Sequence, residues 1–176
     1  MKLFLMRVVG LVLIVVCVAS CDYNYTFEQV KGKDLYVMEF PDFMEEVKDK
    51  ALSPLADLQY VNYFRNVYAV VIDTPKTKLN LSVEQWADSS YNELIKVAKR
   101  PQKIRQNKLE INGMPAVEII MTGDLGREAI KERIYYHLVF VEGKDHMYHI
   151  SLWTWDSWRE KYLEFFDRIV QSFKEV

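Results

Sequence analysis

Glycine is scarce, with six in 176 residues, and none are arranged as G-x-G-x-x-G or as a P-loop. Both motifs need glycines so that backbone can close on a phosphate, so nucleotide cradles of those kinds are excluded. Cysteine is scarcer still: Cys17 and Cys21 are the only two, and residues 22–176 contain none. A disulfide framework, a CxxC redox pair and a Cys-ligated zinc are therefore excluded from that stretch. No block of Lys and Arg occurs and the formal charge is −2, so the electrostatic footprint of a nucleic-acid-binding protein is missing. The apolar run Val8–Ser20 falls short of the ~20 residues that span a bilayer, and Arg7 blocks its extension. The G-x-S-x-G elbow, H-E-x-x-H and S-x-x-K are absent, and Ser89, Ser90, Ser151 and Ser172 stand in ordinary helix, strand or helix-end contexts.

What is present at the N-terminus has an order. Lys2 and Arg7 are positive, Val8–Val16 is apolar, and Val18, Ala19 and Ser20 grow small towards Cys21. That progression is the pattern of a secretory signal peptide. The stretch "VASC" resembles the lipobox of bacterial lipoproteins. Such a box has an aliphatic residue, two small ones that let a peptidase reach the backbone, and then the cysteine whose thiol receives the lipid. The resemblance implies that residues 1–20 leave as a leader, taking Cys17 with them, and that Cys21 becomes the acylated N-terminus. Residues 21–34 are then a lipidated start and tether, and residues 35–176 a single domain. Two or more acyl chains anchor stably where one is marginal. The expected location is thus a membrane of the bacterial cell envelope, held by lipid rather than spanned. Loss of Lys2 and Arg7 moves the formal charge to −4, which bears on solubility more than on partners.

The rest suits one domain, and an aromatic content of 14% supplies a dense core with rings to spare. Leu35–Phe40 is a short strand stopped by Pro41, and Pro41–Leu55 is an irregular excursion or a short helix. Leu58–Phe64 and Val67–Asp73 form a hairpin around Arg65-Asn66. Ser82 and Gln85 spell a capping box for a helix over Ser82–Ala98, with Leu81 stapling onto Trp86 and Pro101 ending it. Lys103–Ile111 and Ala116–Thr122 flank Asn112-Gly113, the pair that supplies the positive φ angles of a tight hairpin. Ile130–Val141 and His146–Trp155 flank "EGKD" as another hairpin. Apolar residues on both faces of "IYYHLVFV" demand cover on both sides. A second capping box, Ser157 and Glu160, opens a last helix whose buried stripe is Trp158, Tyr162, Phe165, Ile169 and Phe173. The expected fold class is α+β: a three-layer α/β/α sandwich around a mostly antiparallel central sheet.

Three stretches, "LYVMEFPDFMEE", "INGMPAVEIIMTG" and "MYHISLWTWDSWREKYLEFFDRIVQSF", resemble the PsbP-like fold family. That family includes photosystem II extrinsic subunits and a Ran-binding nuclear import factor, and single-domain bacterial lipoproteins of unassigned function share its layout. The resemblance covers about Leu35 to Lys174 and implies a binding or assembly factor rather than an enzyme. The family's metal- and partner-contacting residues have no recognisable counterparts here, so no catalytic, cofactor-binding or metal residue is carried across.

Symmetric pairing of the "EGKD" hairpin sets His146 opposite Val141 and His137 opposite Ile150, several residues apart, with His149 on the other face. Metal ligands must converge, so no zinc site and no cofactor are expected. The adjacent carboxylates Glu45–Glu46 lack a D-x-D-x-D-G loop that would make them a Ca²⁺ site. The candidate partner-binding residues are the tryptophans of "WTWDSW". Trp153 and Trp155 stand two apart on one side of a strand end, with Trp158 opening the helix. Such rings stack on sugars or anchor protein interfaces, or else they seal the strand–helix corner. The expected function is that of a membrane-anchored envelope lipoprotein acting as a non-catalytic binding or assembly accessory factor. Its partners would be the membrane, through the lipid on Cys21, and an envelope protein or glycan, with no nucleic acid. The alternatives are a small envelope hydrolase or ligand-binding enzyme without a recognisable motif, and a purely structural envelope component.

Overall fold

The computed structural model describes residues 25–49, 51–125 and 132–176. The expected leader, Cys21 and the first tether residues lie outside the described residues, as does Ile130, the expected start of a strand. Among the described residues, ten strands and two α-helices follow in order. They are β1 (Phe27–Gly32), β2 (Tyr36–Pro41), β3 (Glu45–Glu46), β4 (Leu58–Asn62), β5 (Val67–Pro75), α1 (Val83–Val97), β6 (Ala98–Ile111), β7 (Met114–Leu125), β8 (Ile134–Glu142), β9 (His146–Trp155), α2 (Arg159–Gln171) and β10 (Lys174–Glu175). Seven strands make the main sheet, in the order β3-β4-β5-β9-β8-β7-β6, and every neighbouring pair is antiparallel. A second, three-stranded sheet runs β1-β2-β10.

Strand β8, beside the middle strand β9, is buried over its first eight residues, so both of its faces need cover. Val83, Ala87, Trp86, Tyr91, Leu94 and Ile95 of α1 cover one face, packing on Ile119, Tyr136, Leu138 and Phe140. The other face is covered by α2, through Tyr162, Phe166, Ile169 and Val170, and by Tyr36, Met38 and Phe40 of the small sheet. This is the expected three-layer sandwich, with the small sheet sharing one outer layer with a helix.

The turns follow from the residues that occupy them. Asn112 and Gly113 have φ of 49° and 83°, the left-handed geometry a two-residue hairpin needs. The Asn112 side chain also donates to the carbonyls of Gln171 (3.1 Å) and Phe173 (2.7 Å), closing the C-terminal end of α2. Asn66 takes φ 46° in the β4–β5 hairpin. The Ser82–Gln85 capping box is present in both directions, at 3.3 and 3.0 Å.

Several expectations change. Residues 27–32, read as tether, form β1 and pair with β2 around a Lys33-Asp34 turn with φ of 44° and 60°. Helix α1 ends at Val97, and Pro101 falls inside β6 rather than stopping the helix. β6 is an edge strand, where a residue without an N–H is tolerated, and its register breaks between Lys99 and Gln102. Leu81 is exposed, while Leu79 packs on the α1-side core. The second capping box does not form. Ser157 sits in a 3₁₀ turn, and its hydroxyl donates to Glu132 Oε1 at 2.5 Å, while Glu160 pairs with Arg159 at 3.0 Å. The buried stripe of α2 is Tyr162, Phe166, Ile169 and Val170, continued by Phe173 beyond the helix; Phe165 is only half-buried. The small sheet displaces the stripe because it offers α2 a second apolar neighbour.

Candidate functional site

The β8–β9 hairpin pairs two residues away from the symmetric expectation: Glu142 faces Met147 and His137 faces Leu152. A shift of two keeps every side chain on its face. His137 therefore points towards α2 while His149 faces α1, stacked on Phe140 with ring centroids 4.2 Å apart. Burial pushes the pKa of His149 down to about 4.

His137 is part of a cluster that sequence reasoning missed. Its Nε2 lies 2.9 Å from Glu118 Oε1 and its Nδ1 4.0 Å from Asp167 Oδ1, while the ring itself is 1% exposed. Arg105 grips Glu118 with Nε at 2.9 Å and Nη2 at 3.2 Å, and Asn107 adds a bond at 3.3 Å. Burial opposes ionisation of Glu118, but His137 and Arg105 outweigh it and hold the carboxyl at about 2. One ligand atom from each of Glu118, His137 and Asp167 falls within 4.8 Å of the others, close enough to suggest a cation site. The arrangement argues against one. The two imidazole nitrogens face different carboxylates, and a guanidinium already occupies Glu118, placing a positive charge where a cation would sit. Buried to 1% exposure, His137 also offers neither imidazole nitrogen to a substrate at the surface. The hydrogen bonds in the cluster, from Arg105 and Asn107 to Glu118, tie β6 to β7.

Charge also gathers at the end of the sheet where β9 begins. Asp57 and Asp73 have side chains only 3% and 8% exposed, so they need partners. Lys33 supplies one, at 2.5 Å from Asp73 and 3.2 Å from Asp57. Tyr36 donates to Asp57 at 2.8 Å, and His146 Nδ1 lies 3.3 Å from Asp73. Tyr148 donates to Glu175 at 2.8 Å, fastening β10. This far pole is a set of closed ion pairs.

The opposite, near pole is aromatic. It holds the β4–β5 hairpin tip, the end of β9 and the start of α2. Trp153 stacks on its cross-strand neighbour Tyr68, 5.2 Å apart and 5° from parallel. Tyr68 meets Tyr63 edge-on at 6.1 Å, and Phe64 follows at the tip. Trp155 and Trp158 meet each other at 4.8 Å. All three tryptophans are half-buried. Trp153 and Trp155 pack on the α1-side core and Trp158 on the α2-side core, so they do seal the corner between strand and helix. Tyr63, which sequence reasoning did not single out, connects to Trp153 through Tyr68, and Phe64 follows it at the tip. The signal was there: "NYFRN" puts two large rings in a turn, where polar residues are the rule. A shallow depression at this pole, lined by Glu132, Arg133, Asp156, Ser157, Arg159 and Glu160, is polar and open.

The arrangement of layers and strand order can be set against known structures. The NMR structure of the cyanobacterial PsbP (CyanoP) of Synechocystis superposes with a TM-score of 0.64 at 15% identity, covering 86% of this chain and 93% of that one. The fold is PsbP-like. Two further structures share it. The Ran-binding protein Mog1p of Saccharomyces cerevisiae matches with a TM-score of 0.60 at 9% identity, covering 85% of this chain and 95% of its own. LpqN of Mycobacterium tuberculosis, involved in cell envelope biogenesis, matches with a TM-score of 0.56 at 11% identity, covering 88% and 93%. No family model and no curated protein matches the sequence. At such identities the likeness establishes the fold alone.

Proposed function

We propose that this chain is a lipid-anchored protein of the bacterial cell envelope whose PsbP-like domain works by binding, as an accessory or assembly factor. The observation that carries the reading is the aromatic pole. Tyr68, Trp153, Trp155 and Trp158 are half-buried rings of the residue types that anchor interfaces, paired as Tyr68–Trp153 and Trp155–Trp158. Two of the similar structures belong to proteins described as Ran-binding and as involved in cell envelope biogenesis, which suits a binding role. The "VASC" box at Cys21 supplies the anchor. Among the described residues no helix is long and apolar enough to cross a membrane, and acylation would hold the domain at the surface without one. The partner is an envelope protein or glycan that takes up the tryptophan face. A hydrolase reading is weaker, because among the described residues the Glu118–His137–Asp167 group has its histidine 1% exposed and its Glu118 held by Arg105.

Two substitutions test this. Cys21→Ser is expected to move the protein from the membrane fraction to the soluble fraction. A photo-cross-linker beside Trp153, in the membrane-held protein, is expected to trap one defined envelope component, with yield lost on Trp155→Ala. Retention of normally processed protein after Cys21→Ser refutes the anchor. Diffuse cross-linking unaffected by Trp155→Ala refutes the binding face.

A further inference from the structure

Phe64 is 97% exposed and its neighbour Tyr63 60% exposed, at the tip of the β4–β5 hairpin. Polar residues close such a turn readily, so two large rings held out in water call for something to cover them. The described chain begins against this same tip. Arg65 Nη1 donates to the Tyr25 hydroxyl at 2.7 Å, and the Arg65 guanidinium lies 4.9 Å over the ring of Phe43, which meets Tyr25 edge-on at 4.9 Å. Cys21 lies four residues upstream, and any orientation inferred from it rests on its proposed acylation.

Reach decides which pole meets the lipid. Four residues span at most about 14 Å even fully extended. The ten residues of β9 alone carry the chain about 30 Å from the far pole to the near one. An anchor on Cys21 therefore holds the aromatic pole within headgroup distance and leaves the ion-paired pole out of reach. We propose that the Tyr63–Phe64 tip inserts into the bilayer interface beside the anchor. Phe64 enters the acyl boundary, and Tyr63 and Arg65 lie at headgroup level, where amphipathic aromatic and long basic side chains are favoured. The domain then stands in one orientation on the membrane, with the tryptophan face at its base and the Lys144 hairpin pointing away.

The test uses the full-length lipidated protein in vesicles of phosphatidylethanolamine and phosphatidylglycerol. With Cys21 acylated, Phe64→Cys supplies the single reactive thiol, at a position whose exposure removes any packing role. A bimane on that thiol is read for quenching by nitroxide-labelled lipid. Quenching several-fold stronger at position 64 than at Lys144→Cys, on the far-pole hairpin, is the expected result. Equal quenching at the two positions overturns the proposal. So does shielding of position 64 that arises only when envelope protein is added, because the tip then belongs to a protein partner. The mass of the Cys21 peptide from the same sample separates the two ideas. Acylated Cys21 with equal quenching sinks the docking alone, and unmodified Cys21 sinks the anchor and the docking together.

Discussion

His149 offers the sharpest test of how the main sheet is packed. Its ring lies between Phe140, at 4.2 Å, and Trp86, at 6.0 Å, with Ser151 Oγ 2.9 Å from Nε2. Burial there favours the neutral ring and lowers its pKa from 6.5 to about 4. Below pH 6.5 the unfolded chain takes up a proton that the folded one refuses until about pH 4. This stabilisation is therefore complete above pH 6.5 and is lost as the pH falls towards 4. At about 1.4 kcal/mol per pH unit, the gap amounts to about 3 kcal/mol. Solvent reaching the ring makes that the upper value, since His149 is mostly rather than wholly buried. Urea unfolding followed by tryptophan fluorescence, across this pH range, measures it. His149→Phe keeps an aromatic ring against Phe140 and removes the titration, so its stability should stay flat where the parent's declines. Parallel pH profiles for the two proteins would refute the placement of this ring in an apolar pocket.

Three further outcomes are expected. Phe166→Ala empties a fully buried site between α2 and the sheet, and should cost about 3–5 kcal/mol in chemical unfolding. Glu118→Gln leaves Arg105 and His137 facing a neutral amide, and should cost about 1–3 kcal/mol at neutral pH. The same change should remove the Glu118 share of the acid-side loss of stability between pH 4.5 and about 2, because a carboxyl held that low stabilises above 4.5 and ceases to as it protonates. Gly32→Ala drives a methyl into the ring of Tyr36, which is fully buried and bonded to Asp57. It should cost about 1–3 kcal/mol, seen as a lower melting temperature.

Features set by neighbours in sequence were legible without the structure. Asn112-Gly113 names its hairpin, Ser82 and Gln85 name their helix start, and the doubly apolar β8 calls for two cover layers. The face of each histidine survived an error of two in register because side-chain direction repeats every two residues. Features assembled from distant segments were not legible. β1 has exposed or half-buried residues over most of its length and β10 has two residues, so neither carries a periodic signal; they exist because β2 lies between them. The small sheet in turn moved the buried arc of α2 from Phe165 to Phe166 and Val170. Ser157 and Glu160 have the spacing of a capping box, yet Glu132 and Arg159 offered each a closer partner. Glu118, His137 and Asp167 come from β7, β8 and α2, and their meeting depends on the packing of all three. One hint was present: Glu118 shares the inward parity of Ala116 and Ile120, where an unpaired carboxylate would be costly. The aromatic pole was half legible, since the tryptophans of "WTWDSW" stand out in the sequence while their neighbours Tyr63 and Tyr68 arrive by strand pairing.

The proposed function depends on a lipid that holds the domain at a bilayer. Intact-mass analysis of the protein extracted from its native membranes tests that most directly. The account predicts a polypeptide beginning at Cys21, heavier than residues 21–176 by a diacylglyceryl thioether. A chain that still begins at Met1, or a Cys21 with a bare thiol, would contradict it.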